Sequence, residues 1–259
     1  MLVPSILESR RIDIDSEWRF ESVCSPFWRV YLNARSGACV RCSGRVYKIT
    51  PGRAFVVPAW LRFDCWSGCR MSHRYLHFGL DGLSGAVTRR MFDAPFQVDV
   101  SRFPGDPWPA RHQRLPEVVR EAAAVAWAQA VVVLAFDRLP AEQMAECRPF
   151  LKERPRMRRV LDYIERNLSR PIANDELAAE AHLSPGQFIR RFGQEIGQTP
   201  AQYVRERRVT AAASRLRLGD DSIETIAADT GFGDRSYFSR TFKEIMGTSP
   251  AAYRRSRRV

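Results

Sequence analysis

Two arginines fifty residues apart, Arg190 and Arg240, occupy the same place in two copies of one sequence pattern, Phe-x-Arg-x-Phe. In an α-helix the two phenylalanines of each copy share one side, and the arginine lies about 200° around the axis from the first of them. We therefore expect the phenylalanines to pack inward and the arginines to point outward. An outward guanidinium on a rigid helix is suited to a base edge or a phosphate of DNA.

The repeat extends well beyond these residues. Residues 188–209 and 238–259 are identical at 11 of 22 positions, and Leu177-Ala-Ala recurs as Ile226-Ala-Ala at a shift of 49. A single arginine is usually a solvated surface charge, but duplication of the whole frame disfavours that alternative here. The sequence therefore predicts that one supersecondary unit occurs twice.

Each copy has the signals of a helix, a tight turn and a second helix. Asn174 and Ser222 are the predicted caps of the first helices. The first turn is predicted at His182-Leu183, and the second contains Gly231, which tolerates positive φ. Ser184-Pro185 and Asp234 are the predicted starts of the second helices. A helix-turn-helix is the simplest interpretation of both copies.

A further helix is predicted between the copies, from Thr199-Pro200 to Leu218. Its length of about 27 Å is comparable with the ~34 Å repeat of a DNA duplex. One chain is thus expected to present two helices to successive major grooves on the same side.

The second copy resembles the C-terminal signature of AraC-family transcription regulators. It contains Ile226-Ala-x-x-x-Gly-Phe, then Ser236-Tyr-Phe-Ser-Arg-x-Phe-Lys243, then Gly247-x-Ser-Pro-x-x-Tyr-Arg254. The first copy, from Leu177 to Tyr203, is similar to the family's first helix-turn-helix. The resemblance implies a two-motif DNA-binding domain with recognition helices at about 185–196 and 234–245.

The same resemblance implies which side chains face DNA. They are Ser184, Gln187, Ile189, Arg190 and Arg191 in the first copy and Arg235, Ser236, Ser239 and Arg240 in the second. Gly186 has no side chain, and Ile189 offers only apolar contact, for example to a thymine methyl group. Direct readout is therefore expected mainly from Arg190, Arg235 and Arg240.

Composition is consistent with a polyanionic partner. The chain has 259 residues and a formal net charge of +12, of which residues 1–154 and 155–259 each carry +6. The equal division means that charge alone does not locate a binding face. The longest apolar stretch, Ala122–Phe136, is shorter than a bilayer span and is interpreted as a buried helix. No secretory signal is recognisable, so a cytoplasmic, nucleoid-associated protein is expected, with no membrane partner.

The N-terminal part differs in texture. Short strand-like segments separated by Gly, Pro and Ser run from Trp18 to about Val100, which predicts a sandwich or small barrel. They include Trp28–Leu32, Val46–Ile49, Phe55–Val57 and Arg74–Phe78. The resemblance implies a cupin-like sensor barrel followed by a helical dimerisation segment. Pro51–Pro58 fits the turn, strand and proline of such barrels, but Arg62 and Phe63 follow where many cupins have histidine, so no ligand is carried over.

Four tryptophans are candidate ligand-pocket residues. Trp18, Trp28, Trp60 and Trp66 fall within the predicted barrel, and their rings could stack on a sugar or another small molecule. The alternative, packing in a core or an interface, is the more common use of tryptophan.

The sequence offers two alternative kinds of site, a cysteine site and a histidine site. Cys39-x-x-Cys42 and Cys65-x-x-x-Cys69 have spacings compatible with a metal or a thiol sensor, but alternation along a strand would separate Cys39 from Cys42. Ordinary reduced thiols are expected. His73, Tyr75 and His77 can share a strand face, which would suit a metal-dependent cupin enzyme, yet two histidines without a paired carboxylate form a weak metal set.

The resulting prediction is an α+β multidomain protein that is a sequence-specific DNA-binding transcription regulator and not an enzyme. Its expected domains are a cupin-like β-barrel (1–107), a helical linker and dimerisation segment (108–154), and an all-α domain with two helix-turn-helix motifs (155–259). A linker is placed near Glu153–Arg156. Double-stranded DNA, a second copy, RNA polymerase and a small effector are the expected partners. No metal or other cofactor is expected.

Overall fold

The structure is a computed structural model that describes residues 2–81, 83–102, 116–151 and 155–255. The chain forms two compact units. The first holds Leu2–Gly82 and Thr88–Cys147, and the second holds Leu83–Val87 and the chain from Arg148 onward. The predicted boundary at 107/108 and residues 153–154 of the predicted linker lie outside the described residues, so the domain limits stay predictions.

Two antiparallel sheets build the first unit. The strands are β1 (Val3–Ile14), β2 (Arg19–Val23), β3 (Trp28–Asn33), β4 (Ala38–Cys42), β5 (Arg45–Lys48), β6 (Arg53–Val57), β7 (Phe63–Ser67), β8 (Met71–Asp81) and β9 (Phe96–Asp99). One sheet has the order β1-β8-β3-β6-β9 and the other the order β2-β7-β4-β5. The predicted fold class, an α+β protein with an N-terminal cupin-like β-domain and a C-terminal all-α domain, is confirmed, and the β-domain consists of these two antiparallel sheets.

The central strand β3 is buried on both faces. Trp28, whose ring stacks on Phe78 at a centroid distance of 6.0 Å, lies on one face. Arg29, Tyr31 and Asn33 lie on the other face, because side chains alternate along a strand. Polar residues thus occupy one buried face of a core strand.

Three helices accompany the sheets in sequence: α1 (Gly85–Met91), α2 (Glu117–Asp137) and α3 (Ala141–Leu151). The apolar stretch predicted to be a helix is most of α2, which packs against β1 and β8. Trp127, Ala128 and Val131 are among its buried residues. In the described ranges α2 is also the one helix whose length and hydropathy match a membrane-crossing segment, a test that core helices of soluble proteins also pass.

Within residues 155–255, the described part of the second unit that follows α3, seven helices occur: α4 (Pro155–Arg166), α5 (Asn174–Glu180), α6 (Pro185–Ile196), α7 (Pro200–Leu218), α8 (Ile223–Asp229), α9 (Arg235–Met246) and α10 (Pro250–Arg255). The pairs α5–α6 and α8–α9 are the two predicted helix-turn-helix motifs. The aliphatic side of α4, which includes Val160 and Ile164, packs on Phe188 and Phe192 of α6 in one core.

The helix starts agree with the predicted caps except at α5. Ser222 accepts a hydrogen bond from Thr225 N, and Asp234 accepts one from Tyr237 N. Asn174 is not the cap of α5, because the cap position is Ala173. Glu176 reaches back to accept the Ala173 N–H at 3.0 Å, so the carboxylate of the third helical residue replaces a capping side chain.

Candidate nucleic-acid interface

The helix α6 has an aromatic inner side and a polar outer side. Phe188 and Phe192 are fully buried, with ring centroids 5.5 Å apart, and Phe192 also contacts the Tyr203 ring at 5.7 Å. Arg190, on the opposite side, is exposed. No described residue forms a hydrogen bond or an ion pair with its guanidinium.

The helix α9 repeats this arrangement. Phe238 and Phe242 are fully buried with centroids 5.6 Å apart, and Phe242 contacts Tyr253 at 5.3 Å. Arg235 and Arg240 are exposed, and neither is bonded to another described residue. Each motif therefore holds at least one guanidinium that is available to an external acceptor.

Most of the other predicted DNA-facing side chains are also exposed: Ser184, Gln187, Ile189, Arg191 and Ser236. Ser239 is half-buried. Two of the exposed residues already have partners, one on α6 and one at its N-cap. Arg191 Nε donates to Glu195 Oε1 at 2.8 Å, and Gln187 Oε1 accepts the Ser184 N–H at 3.3 Å. Their roles at DNA stay predictions.

Tyr237 is a surface residue that the sequence reasoning did not select. It is 44% exposed at the start of α9, three residues before Arg240, and its ring lies 5.9 Å from that of Phe232. Its exposed ring adds an apolar surface and a hydroxyl group to this face, on a helix whose other aromatic residues are buried. The helical spacing from Arg240 was the signal that could have identified it.

The connecting helix α7 has 19 residues, which corresponds to about 28 Å. Its C-terminal end is fixed to the second motif by Arg215. That guanidinium bonds to Asp221 at 2.8 Å and to Asp229 at 2.7 Å. The length agrees with the value of about 27 Å that the sequence predicted for this helix.

In the first unit, a polar cluster covers the inner face of the five-stranded sheet. Arg29, Tyr31 and Asn33 of β3 pair in register with His77, Tyr75 and His73 of β8. The Arg29 guanidinium donates to Ser25 Oγ at 2.6 Å and lies 3.3 Å from His77 Nε2. The prediction that His73, Tyr75 and His77 share a strand face is confirmed.

His73 anchors the other end of the cluster. Its Nδ1 lies 2.7 Å from Asn33 Oδ1, and burial lowers the pKa of His73 to about 4, so the ring is neutral near pH 7. An amide oxygen only accepts, so Nδ1 carries the proton. Asn33 Nδ2 is buried and has no hydrogen-bond partner among the described residues, which leaves a donor inside the unit.

The four tryptophans do not gather at one site. Trp18 lies beside this cluster, with ring centroids 5.2 Å from His73 and 6.2 Å from Tyr31. Trp28 is on the opposite face of β3. The other two stack with arginines, Trp60 with Arg89 and Trp66 with Arg41. A ligand role for any of them stays a prediction.

The cysteines are free thiols. Burial raises the pKa of Cys65 to about 12, which suppresses the reactive thiolate form. Among the residues that the structure describes, no group of three or more His, Cys, Asp or Glu is arranged to hold a metal ion.

Comparison with known proteins agrees with the geometry of the two motifs. A family model described as a helix-turn-helix domain matches residues 177–256. The transposon Tn10 TetD protein of Escherichia coli is 39% identical over 98 residues, which are 38% of this chain and 71% of TetD. The chain belongs to the AraC family. Its second unit is the helix-turn-helix DNA-binding domain of that family, and the protein is a transcription regulator.

Two similarities extend over nearly the whole AraC-family chain. The transcriptional activator RhaS of Pectobacterium atrosepticum is 24% identical over 274 aligned positions, which cover 95% of this chain and 93% of RhaS. A crystal structure of apo ToxT from Vibrio cholerae has a TM-score of 0.55 at 13% identity and covers 95% of this chain and 96% of ToxT. That likeness shows the two-part fold. Several other curated relatives are matched over only about a third of their own length.

Proposed function

We propose that the protein reads two neighbouring major-groove segments of one duplex, one with α6 and one with α9. Arg190 makes the main base contact of the first helix, and Arg235 and Arg240 make those of the second. The carrying observation is that both copies expose guanidiniums that no described residue binds, on helices whose inner sides are fully buried. A guanidinium pairs with guanine O6 and N7 in a bidentate manner.

The remaining predicted residues make secondary contacts with the DNA. Ile189, 41% exposed, contacts a thymine methyl group, and Ser184, Ser236 and Ser239 bind phosphates or base edges. Arg191 and Gln187 contribute less, because Glu195 and the Ser184 N–H already engage them.

Selection from a randomised duplex library with the full chain tests this proposal. Enriched sequences are expected to contain two short conserved boxes with centres about one helical turn, ~10 base pairs, apart. Enrichment of a single box, or of none, contradicts the two-helix reading.

We also propose that the first unit binds a small effector at the polar inner face between β3 and β8. Buried polar side chains normally satisfy one another, and an unpaired amide donor in a protein interior is costly. The donor of Asn33 and the neutral ring of His73 support a ligand that carries hydrogen-bond acceptors. Trp18 supplies an aromatic wall beside them.

Thermal-shift screening of small polar metabolites tests this effector site. An effector is expected to raise the melting temperature of the wild type and not that of Asn33→Ala. Equal shifts in both proteins contradict the site.

The dimer is proposed to form through α2. Val118 and Val133 are 68% and 66% exposed, and Ala122 and Ala126 continue the same exposed stripe between them. A second copy of α2 would cover this apolar surface and place two DNA-binding units on repeated sites.

Sedimentation of Val133→Asp is expected to show a monomer where the wild type is a dimer, and an unchanged dimer contradicts the assignment. Contact with RNA polymerase stays a prediction.

A further inference from the structure

Arg208, near the middle of α7, forms hydrogen bonds outside its own helix. Its Nε donates to the Leu168 carbonyl at 2.9 Å, and its Nη2 donates to the Arg170 carbonyl at 2.6 Å. Both carbonyl groups lie in the turn that follows α4. Carbonyl oxygens beyond the end of a helix are not paired within it and accept hydrogen bonds from other groups. The guanidinium is half-buried, and desolvation lowers its pKa. The side chain thus joins α7 to the segment that enters the first motif.

The turn of the second motif lies against the same hydrogen bond. Gly231, between α8 and α9, has φ +81°. A Cβ placed there would lie 2.8 Å from Arg208 Nε and would overlap the Leu168 carbonyl oxygen. The equivalent position in the first motif is His182, which adopts a similar φ of +53°. The second copy therefore requires glycine because Arg208 and Leu168 occupy the space that a side chain would need.

Arg170 extends the connection to α5, the first helix of the first motif. Its Nη2 donates to Glu176 Oε2 at 2.7 Å and to the Tyr163 hydroxyl at 2.6 Å. Glu176 caps α5 through the Ala173 N–H, and the hydrogen bond from Arg170 lowers the pKa of Glu176 to about 2. One continuous path therefore runs from α5 through Glu176, Arg170 and Arg208 to the turn before α9.

We propose that Arg208 is a positioning residue that holds the two motifs in one relative orientation and so fixes the number of base pairs between the boxes they read. The proposal rests on the proposed function, in which α6 and α9 read the same duplex. One base pair changes the separation of two boxes by ~3.4 Å and their relative rotation by ~35°. A rigid pair of helices cannot follow that change, whereas a loosened pair can.

Binding to three duplexes tests the proposal with the full chain. They carry the two selected boxes at the selected spacing and at one base pair fewer or more. Arg208→Met removes the donors while keeping much of the apolar stem. Arg207→Met is the matched control, because Arg207 is the neighbouring arginine on α7 and its guanidinium binds Glu165 of α4 at 2.6 Å.

The wild type and Arg207→Met are expected to bind the duplex with the selected spacing about tenfold more tightly than the other two duplexes. This factor is similar to the affinity lost through one or more mismatched base pairs. Arg208→Met is expected to lose about tenfold at that spacing and to bind all three duplexes within about threefold of one another. Arg208→Lys restores the charge and one donor and is expected to recover part of the preference. Circular dichroism checks that each variant is folded.

A merely structural role for Arg208 gives a different pattern. If Arg208→Met loses the same factor on all three duplexes, or none, the proposal is overturned, although two-box binding by the wild type still supports the proposed function. If Arg208→Met does not fold, Arg208→Lys decides by the same criterion. If the wild type selects no pair of boxes, the proposed function fails and this inference fails with it.

Discussion

The two helix-turn-helix motifs have almost the same interior and different exteriors. Ring distances between the paired phenylalanines are 5.5 Å in α6 and 5.6 Å in α9, and each pair meets a tyrosine from the following helix. Each reading helix also ends at a left-handed glycine, Gly197 and Gly247. Most of the duplicated residues build or terminate the helices, and the outward arginine, Arg190 or Arg240, is repeated with them.

The outer sides have diverged. The helix α9 exposes Arg235, Tyr237 and Arg240, whereas α6 exposes the apolar Ile189, one unbound Arg190, and Arg191 bound to Glu195. The comparison teaches that a repeated scaffold can be recognised by its buried residues, while differences in binding preference between the two copies lie in the exposed residues that differ. We expect α9 to select guanine-containing sequence more strongly than α6.

The largest expected effect is the same in both motifs. Phe192→Ala and Phe242→Ala each remove a fully buried ring and should each destabilise the second unit by about 3–5 kcal/mol. Urea unfolding followed by helical circular dichroism measures both variants. A difference of more than about 2 kcal/mol between them would show that the two cores are not equivalent.

The next effect separates the two turns. Gly231→Ala should destabilise the protein by about 2–4 kcal/mol, because the methyl group overlaps the Leu168 carbonyl oxygen. His182→Gly, at the equivalent position, should change stability by less than about 1 kcal/mol, because glycine accepts a positive φ without strain. Thermal unfolding compares the variants. Similar losses in both would contradict the special packing of the second turn.

Binding variants then separate the outer sides. Arg240→Ala should weaken specific DNA binding by about 1–3 kcal/mol and relax the preference at one base pair. Arg191→Ala should cost less than about 1 kcal/mol, because Glu195 already holds that guanidinium. Titrations on the selected duplex at fixed salt measure both. A larger loss for Arg191→Ala than for Arg240→Ala would reverse the assignment.

The smallest effect is a pH dependence that arises from Glu176, a position whose counterpart in the second motif does not titrate. Arg170 lowers the pKa of Glu176 to about 2 from 4.5, so this carboxylate stabilises the fold above about pH 4.5 and the contribution disappears as the pH falls toward 2. The equivalent residue of the second motif is Thr225, which does not titrate. Glu176→Gln should flatten the stability profile in that window, and Thr225→Val should not. Stability curves between pH 2 and 6 provide the measurement, and an unchanged slope for Glu176→Gln would contradict the role.

The helical unit could be predicted closely from the sequence. Serine, aspartate and proline located the starts of α6 and α9, and the resemblance to the AraC family gave the bounds of both helices to within one residue. The cap of α5 was wrong by one position. The side chain of Glu176 satisfies the Ala173 N–H, and nothing local distinguishes that arrangement from a cap at Asn174.

The double-sheeted unit could be predicted only in outline. The strand β1 was not expected, because its exposed charged residues hide the apolar alternation that marks a strand, and backbone pairing with β8 holds it in place. The polar inner face was also missed as a whole. Arg29 and His77 are 48 residues apart in sequence, and only the register of β3 with β8 brings them together.

Contact mapping on the selected two-box duplex tests the central claim most directly. Base-substitution profiles are measured for the wild type, Arg190→Ala and Arg240→Ala. Each variant is predicted to lose base preference in one box only, and the two variants in different boxes. Loss in the same box for both variants, or in neither, would contradict the account of two helices that read one duplex.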